Sequence, residues 1–415
     1  MKILFSAYSC GATKTSEPGN AWRAVNHAIA EGHEVWAVIQ KSGYESDFTH
    51  YLAEYPLPGF HPVFFDLPPL AARTLVKPDL RGNIYYHLWQ RKLLQIAREL
   101  HARVGFDLVQ HITFGRYWSP SGVRDLGIPF IWGPVGAAEV APASFLAELP
   151  PRERLFEFIR DSVRAVSHLD PALRATARAA TIAIGISRES CEALRQLGAR
   201  RVEQLPQAAL ADDELAVFDR FPPPPPGPFR AICMGRLLHW KGFHLAIRAF
   251  ALFARNSPEA ELWIVNDGPF LRELEKTAAE SGDGSRVRFF GHLPKYSDVL
   301  DKLAQSHVLM HPALHEAFGN VCMEAMAAGR PVACLDIGGP AAQVTPACGF
   351  AAPVTSPRAA VEALAGFLTR VDQDRALLAA MSGQARARVR EKFTMRIMGA
   401  AFSSFYRQAA GLRER

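Results

Sequence analysis

The sequence predicts an α/β protein built from two doubly wound parallel sheets, and three observations carry that expectation. Apolar, β-branched runs alternate with helix-period patterns along almost the whole chain, the signature of parallel strands joined by crossover helices. Five prolines at 222–226, bracketed by Phe221 and by Gly227-Pro228, interrupt this rhythm, which then restarts. At 415 residues the chain also exceeds one ordinary core. No repeat at a short fixed period is visible, which excludes a solenoid.

In the first half the strand candidates are 2–8, 34–40, 62–67, 107–113, 129–135 and 181–187. Each is short, apolar and bounded by turn residues, as strands covered by helices on both faces are. Residues 151–180 interleave Arg152, Arg154, Arg160, Arg164, Arg174 and Arg178 with Leu155, Phe156, Phe158, Ile159 and Val163. A basic amphipathic helix of this kind can lie on anionic lipid or be an ordinary surface helix.

The proline run cannot donate ladder hydrogen bonds and favours a stiff extended linker over 221–228. Behind it, the strand candidates 230–235, 261–265, 286–291, 308–310, 331–335 and 349–354 supply the second sheet. The predicted division is a first domain over 1–205, joined by a closing helix within 391–415 whose Phe402, Phe405, Tyr406 and Ala409 lie at helical spacing, and a second over 206–390. In open parallel sheets ligands bind beyond the carboxyl ends of the strands, so two such domains facing each other would bind across a cleft.

Charged residues at 21% and hydrophobics at 49% describe a globular protein with ample material to bury. No run of about eighteen apolar residues appears, and the N-terminus enters a strand pattern directly. The expected location is cytoplasmic, with contact to the inner face of the membrane open through residues 151–180. Cys10, Cys191, Cys233, Cys322, Cys334 and Cys348 are scattered without metal-ligand spacing, so reduced thiols and no metal are expected. A formal charge of +6 suits a nucleotide donor, an anionic acceptor or a membrane surface, and equally a solvated basic surface; no nucleic-acid partner is expected.

Residues 311–339 concentrate the chemistry. An apolar strand leads into a loop with Glu316 and Gly319, and a helix over 320–328 follows, closed by Gly329 and Pro331. Glu324 falls about one turn into that helix, on the face of Asn320, so the two carboxylates can border one crevice. Free N–H groups of Gly319, Asn320 and Val321, at the positive end of the helix dipole, favour an anion such as phosphate. After the strand 230–235, Arg236 and Lys241-Gly242 add cations that suit a diphosphate, although a solvated basic loop reads the same way.

Together, Gly235-Arg236 with Lys241-Gly242, Asp267-Gly268-Pro269, Gly291, and Glu316 followed by Glu324-Ala325-Met326-Ala327, Gly329-Arg330-Pro331-Val332 and Gly338-Gly339 resemble the family 4 glycosyltransferases, retaining enzymes of the GT-B fold. In the first half, Ser9-Cys10-Gly11, Ser16-Glu17-Pro18-Gly19, His111 and Pro134-Val135-Gly136 with Glu139 resemble one branch of that family.

The resemblance implies transfer of a sugar from a nucleoside diphosphate to a hydroxyl acceptor with its anomeric configuration kept. Polysaccharide, glycolipid and small-metabolite acceptors all remain open. It implies that Arg236 and Lys241 bind the donor diphosphate and stabilise it as leaving group, without a metal or other cofactor. Glu324 would accept hydrogen bonds from ribose hydroxyls, Glu316 would lie near the transferred sugar, and Gly319, Asn320 and Val321 would offer backbone donors. His111 falls near a histidine that contacts the donor sugar, within about one position. Gly11 matches a glycine near the diphosphate, while Ser16, Glu17 and Gly19 lie where the acceptor enters. The chain departs from the pattern at Lys14, Thr15, Ala137 and Asn266, where glycine is usual. A nucleotide-sugar-binding protein, or an epimerase on the same fold, is the alternative reading.

Overall fold

The computed structural model describes residues 1–14, 16–68, 80–282 and 284–411; Thr15, and 412–415 at the end of the expected closing helix, lie outside the described residues. The chain divides into two compact units. The first comprises Met1–Ala138, Ser162–Ala209 and Met395–Arg415, and the second Glu139–Asp161 and Leu210–Thr394.

The first unit is a seven-stranded sheet of β1 (Lys2–Ala7), β2 (Glu34–Gln40), β3 (Phe60–Phe65), β4 (Leu108–Thr113), β5 (Phe130–Val135), β6 (Ile182–Gly185) and β7 (Val202–Gln204). Every pairing is parallel, in the order β3-β2-β1-β4-β5-β6-β7, so the winding reverses between β1 and β4. Helices cover both faces. Along β1, Ile3, Phe5 and Ala7 enter one apolar cluster with Trp22 and Phe402, whereas Leu4 enters the other with Trp89 and Trp132. This period-2 division explains why Ile3, Leu4, Phe5 and Ala7 are apolar although they point to opposite faces.

The second unit is a six-stranded sheet of β8 (Arg230–Met234), β9 (Glu261–Val265), β10 (Val287–Gly291), β11 (Val308–His311), β12 (Val332–Leu335) and β13 (Gly349–Ala352). It too is wholly parallel, ordered β10-β9-β8-β11-β12-β13, with its reversal between β8 and β11. Each of the twelve predicted strands is present: β2 and β9 have the expected bounds, β3 lies two residues earlier, β11 is one residue longer, and the others are one to three residues shorter. The thirteenth, β7, went unread because Val202-Glu203-Gln204 is too short and polar to show a strand pattern.

Two expected helices differ in their bounds. The closing helix, expected from 391, starts at Met395 and runs to Ala409, residues 391 and 392 belonging to the preceding helix Arg375–Lys392. Between them the Phe393 carbonyl accepts from the Leu210 amide at 2.9 Å, which extends the backbone and ends the first helix. The second helix packs in the first unit, where the Tyr406 hydroxyl donates to Gln110 at 2.8 Å. The basic stretch breaks into Pro151–Ser167 and Pro171–Ala179, because Asp170 caps the Ala172 amide at 2.8 Å and Pro171 occupies the first helical turn.

The proline-rich residues are tied to the second unit through their carbonyls. Pro222 accepts from Arg330 at 3.1 Å, Pro225 from His307 at 2.9 Å, and Gly227 from Arg375 at 3.3 Å. Proline lacks a donor but keeps its acceptor, which makes such a run a good partner for arginine.

Candidate functional site

The reversal between β8 and β11 leaves a crevice beyond the carboxyl ends of the strands, the usual ligand position in such sheets. Two loops border it. After β8, Gly235 adopts φ +134, Arg236 is exposed, and a 3-10 turn His239–Lys241 ends at Gly242 with φ +69. A Cβ on Gly242 would stand 1.8 Å from the Pro312 carbonyl oxygen, so only glycine lets this loop touch the one after β11. The Leu314 amide donates to Trp240 at 2.7 Å and makes that contact specific.

The Asp267-Gly268-Pro269 turn supports the first loop from below. The Leu237 amide donates to Asp267 at 3.0 Å, and a Cβ on Gly268 would lie 2.4 Å from the Leu237 oxygen. Gly338-Gly339 supports the second loop in the same way: the Gly339 amide donates to Glu316 at 2.9 Å, and a Cβ there would meet the Ala317 oxygen at 2.3 Å. Buried Gln343 donates to the Phe318 carbonyl at 2.6 Å.

On this frame Lys241 and Glu316 form an ion pair, their side chains 16% and 20% exposed. His311, fully buried at the end of β11, brings its Nε2 to 3.6 Å from the same carboxylate, too far for a hydrogen bond but near enough for charge to be felt. Burial pushes the Glu316 carboxyl up, yet Lys241 and His311 outweigh it and hold the group well below the ordinary carboxylate range. Glu316 is therefore an anion at neutral pH, able to accept hydrogen bonds from hydroxyls. Burial holds His311 below its ordinary value despite the pull of Glu316.

The helix Asn320–Ala327 starts beside that carboxylate. Its N-cap, Gly319, has φ +82, and the first-turn N–H groups of Asn320 and Val321 lack intrahelical acceptors by geometry. Glu324 is half-buried on the same helix. The second unit thus carries Arg236 and Lys241 on the loop after β8, and Glu316, Gly319, Asn320, Val321 and Glu324 on the loop and helix after β11. Two positions where the chain departs from the glycines of the related pattern, Ala137 and Asn266, keep positive φ values of +67 and +99. Side chains rarely adopt this conformation, which is the physical reason glycine suits both positions.

The first-unit residues are placed differently. His111 is fully buried near the end of β4, its Nδ1 3.3 Å from Ser6 Oγ and its Nε2 3.3 Å from the Tyr86 hydroxyl and 3.2 Å from the Phe114 carbonyl. Burial lowers it to about 4, so it is neutral. Glu17 accepts from the Gly115 amide at 2.7 Å, and burial raises its carboxyl against that bond and the nearby Arg116. Gly11 is buried in the loop after β1, its amide 3.3 Å from the Pro18 oxygen. Ser16 is exposed at φ +59, and a Cβ on Gly19 would strike the Lys14 carbonyl at 2.3 Å.

Sequence reasoning passed over His239, His315 and Glu157. His239 Nε2 lies 2.7 Å, and His315 Nε2 3.1 Å, from Glu157 Oε1. His315 precedes Glu316, a nearness that could have drawn notice; Glu157 sits in an arginine-rich helix where a glutamate reads as surface. All six cysteines are free and buried, and among the described residues no group of three or more His, Cys, Asp or Glu is arranged to hold a metal ion.

The family described as Glycosyl transferases group 1 matches residues 218–387, which contain every second-unit residue of the crevice. The chain carries a glycosyl transferases group 1 domain. It is 29% identical over 280 residues to a 2-deoxystreptamine glucosyltransferase of Streptomyces kanamyceticus, covering 63% of this chain and 69% of that one. A lipopolysaccharide core biosynthesis glycosyltransferase of Rhizobium meliloti is 38% identical over 99 residues, 24% of this chain and 27% of the relative. Among solved structures, sucrose-phosphate synthase from Thermosynechococcus elongatus superposes with a TM-score of 0.66 at 19% identity over 98% of both chains. An Anabaena protein in complex with UDP gives 0.61 at 18% identity over 98% of this chain and 100% of that one. Its two parallel-sheet units share the GT-B fold of these glycosyltransferase structures, and the second unit carries the group 1 domain.

Proposed function

We propose that the protein moves a sugar from a nucleoside-diphosphate sugar to a hydroxyl acceptor with retention of anomeric configuration, using Arg236 and Lys241 instead of a divalent metal to meet the charge of the diphosphate. The observation that carries this reading is the Lys241–Glu316 ion pair at the start of a glycine-capped helix, between an exposed arginine and Glu324. A cation and N–H donors suit the leaving diphosphate, whose growing charge they stabilise. The anionic Glu316 suits the sugar hydroxyls and Glu324 those of the ribose. Of the remaining residues we assign Gly11 to the diphosphate, His111 to the donor sugar, and Ser16, Glu17 and Gly19 to the acceptor. In this scheme 1–205 with the closing helix is the acceptor domain and 206–390 the donor domain.

We further propose a cytoplasmic enzyme that touches the inner membrane face. Along the helix Pro151–Ser167, Leu155, Phe158, Ile159 and Val166 are exposed, beside exposed Arg152 and Arg154. Apolar side chains flanked by cations suit an anionic lipid surface. Among the described residues no helix is long and apolar enough to cross a membrane.

The test incubates the purified protein with a panel of nucleotide sugars, with and without cell-extract acceptors and with EDTA present, and identifies nucleotide and product by mass spectrometry. Release of nucleoside diphosphate with a retained anomeric centre in the product is expected. Failure to release it from any donor overturns the transferase reading, while release of an isomerised sugar nucleotide favours the epimerase.

A further inference from the structure

The helix Pro151–Ser167 has 17 residues, and the one that is buried is a glutamate. Glu157 has a side chain only 1% exposed. Its Oε1 meets His239 Nε2 at 2.7 Å and His315 Nε2 at 3.1 Å, and its Oε2 lies 3.5 Å from the Arg160 guanidinium. Arg160 is itself held by the Glu139 carbonyl at 3.0 Å. An imidazole N–H donates to a carboxylate oxygen, so one oxygen gathers two donors from two different loops.

Those loops are the walls of the crevice. His239 opens the 3-10 turn that ends at Lys241, and His315 directly precedes Glu316. Trp240 reinforces the link, stacked on Phe156 at 5.8 Å and 8° and on His315 at 5.5 Å and 16°.

Burial pushes the Glu157 carboxyl up, but His239, His315 and Arg160 outweigh it and bring it down to about 2. An apolar side chain of the same volume would fill this space without the desolvation cost of a carboxylate. What the carboxylate adds is direction: hydrogen bonds that set where each histidine, and therefore its neighbour, stands.

We propose that Glu157 is the positioning residue of the donor site, fixing the loop of Arg236 and Lys241 against the loop of Glu316 by holding His239 and His315 on one carboxylate oxygen. The inference rests on the donor reading above, with which it shares the ligand. Glu157 touches no substrate; it acts through the residues beside its partners.

The test titrates UDP, GDP and ADP into the intact protein by calorimetry, then repeats the titration of the binding nucleotide with Glu157→Leu, Glu157→Gln and His315→Gln. Glu157→Leu keeps the volume and removes both bonds, and its Kd is expected to rise about tenfold, equivalent to ~1.4 kcal/mol. Glu157→Gln keeps an acceptor oxygen and should recover most of the affinity. His315→Gln should weaken binding on its own but add little in a Glu157→Leu background, since both changes cut one link. Thermal melts of the same samples separate this from unfolding. Unchanged Kd in Glu157→Leu beside a normal wild-type titration overturns the inference and leaves Glu157 a packing residue; should Glu157→Leu not fold, unchanged Kd in His315→Gln does the same. If the wild type binds no nucleotide, the donor reading falls and the inference with it.

Discussion

Lys241 and Glu316 are 75 residues apart in the chain, yet they close an ion pair where β8 and β11 lie side by side. Both side chains are largely buried, so each charge offsets the desolvation of the other. The pair ties two loops together and also sets the protonation of the carboxylate.

Replacing Lys241 with Met should therefore do two things. It leaves Glu316 buried without its counter-charge, which costs roughly 3–5 kcal/mol. It also removes the main influence holding the Glu316 carboxyl down. Because the folded value lies below the unfolded one, the wild-type contribution is complete above about pH 4.3 and is lost as the pH falls further. Urea unfolding followed against pH should show this acid loss in the wild type and a lower, flatter profile in Lys241→Met.

Arg236 is exposed and forms no ion pair among the described residues. Truncation to Ala should leave stability within about 0.5 kcal/mol, as surface substitutions do. Transfer should nevertheless fall by about 10²–10³-fold if the guanidinium meets the leaving diphosphate. Steady-state kinetics beside a thermal melt checks both halves, and near-normal turnover would show that the cation lies outside the chemistry.

Gly242→Ala tests the contact between the two loops. The left-handed φ of +69 and the Pro312 oxygen 1.8 Å from a built Cβ together force the backbone to move. The strain alone is worth about 1–3 kcal/mol, and Lys241, the adjacent residue, should lose its register with Glu316. Nucleotide affinity and melting temperature should both fall.

Arg330 offers the opposite dissection. It is fully buried and donates to Leu303, Ala304, Ala328 and Pro222 carbonyls, capping the C-terminal ends of two helices while pinning the proline-rich segment. Burial brings its guanidinium down to about 10, still a cation at neutral pH. Arg330→Met removes a donor from each; Leu303 keeps Ser306, and Ala328 and Pro222 keep Arg386, so the cost falls mainly on the Ala304 carbonyl and is about 1–3 kcal/mol before relaxation. Calorimetric unfolding should show a marked loss, while the affinity of the remaining folded protein for nucleotide stays within about threefold.

The strand rhythm was legible because strands buried on both faces are apolar along most of their length, so β1 or β9 stands out without any partner being known. The glycine-capped helix after β11 was legible because Gly319, Gly329 and Pro331 punctuate it locally. The roles of Asp267-Gly268-Pro269 and Gly338-Gly339 were recognisable as a pattern but not as a cause. Their reason is close backbone approach, which depends on a loop elsewhere in the chain. Glu157 was not legible at all. It lies 82 residues from His239 and 158 from His315, in a helix whose other residues are exposed or half-buried.

By itself, the sequence determined two parallel α/β sheets, a helix N-terminus with a carboxylate on either side, and cations leaving a strand end, because each of these follows from local periodicity and capping chemistry. Only the tertiary structure decided which charges meet. The strand order brings β8 beside β11, glycine at 242 lets their loops touch, and burial then pairs Lys241 with Glu316 and gathers two histidines onto Glu157. Hydrogen bonds and ion pairs act over a few ångströms of space whatever the separation along the chain, so their partners are settled by the packing of the fold.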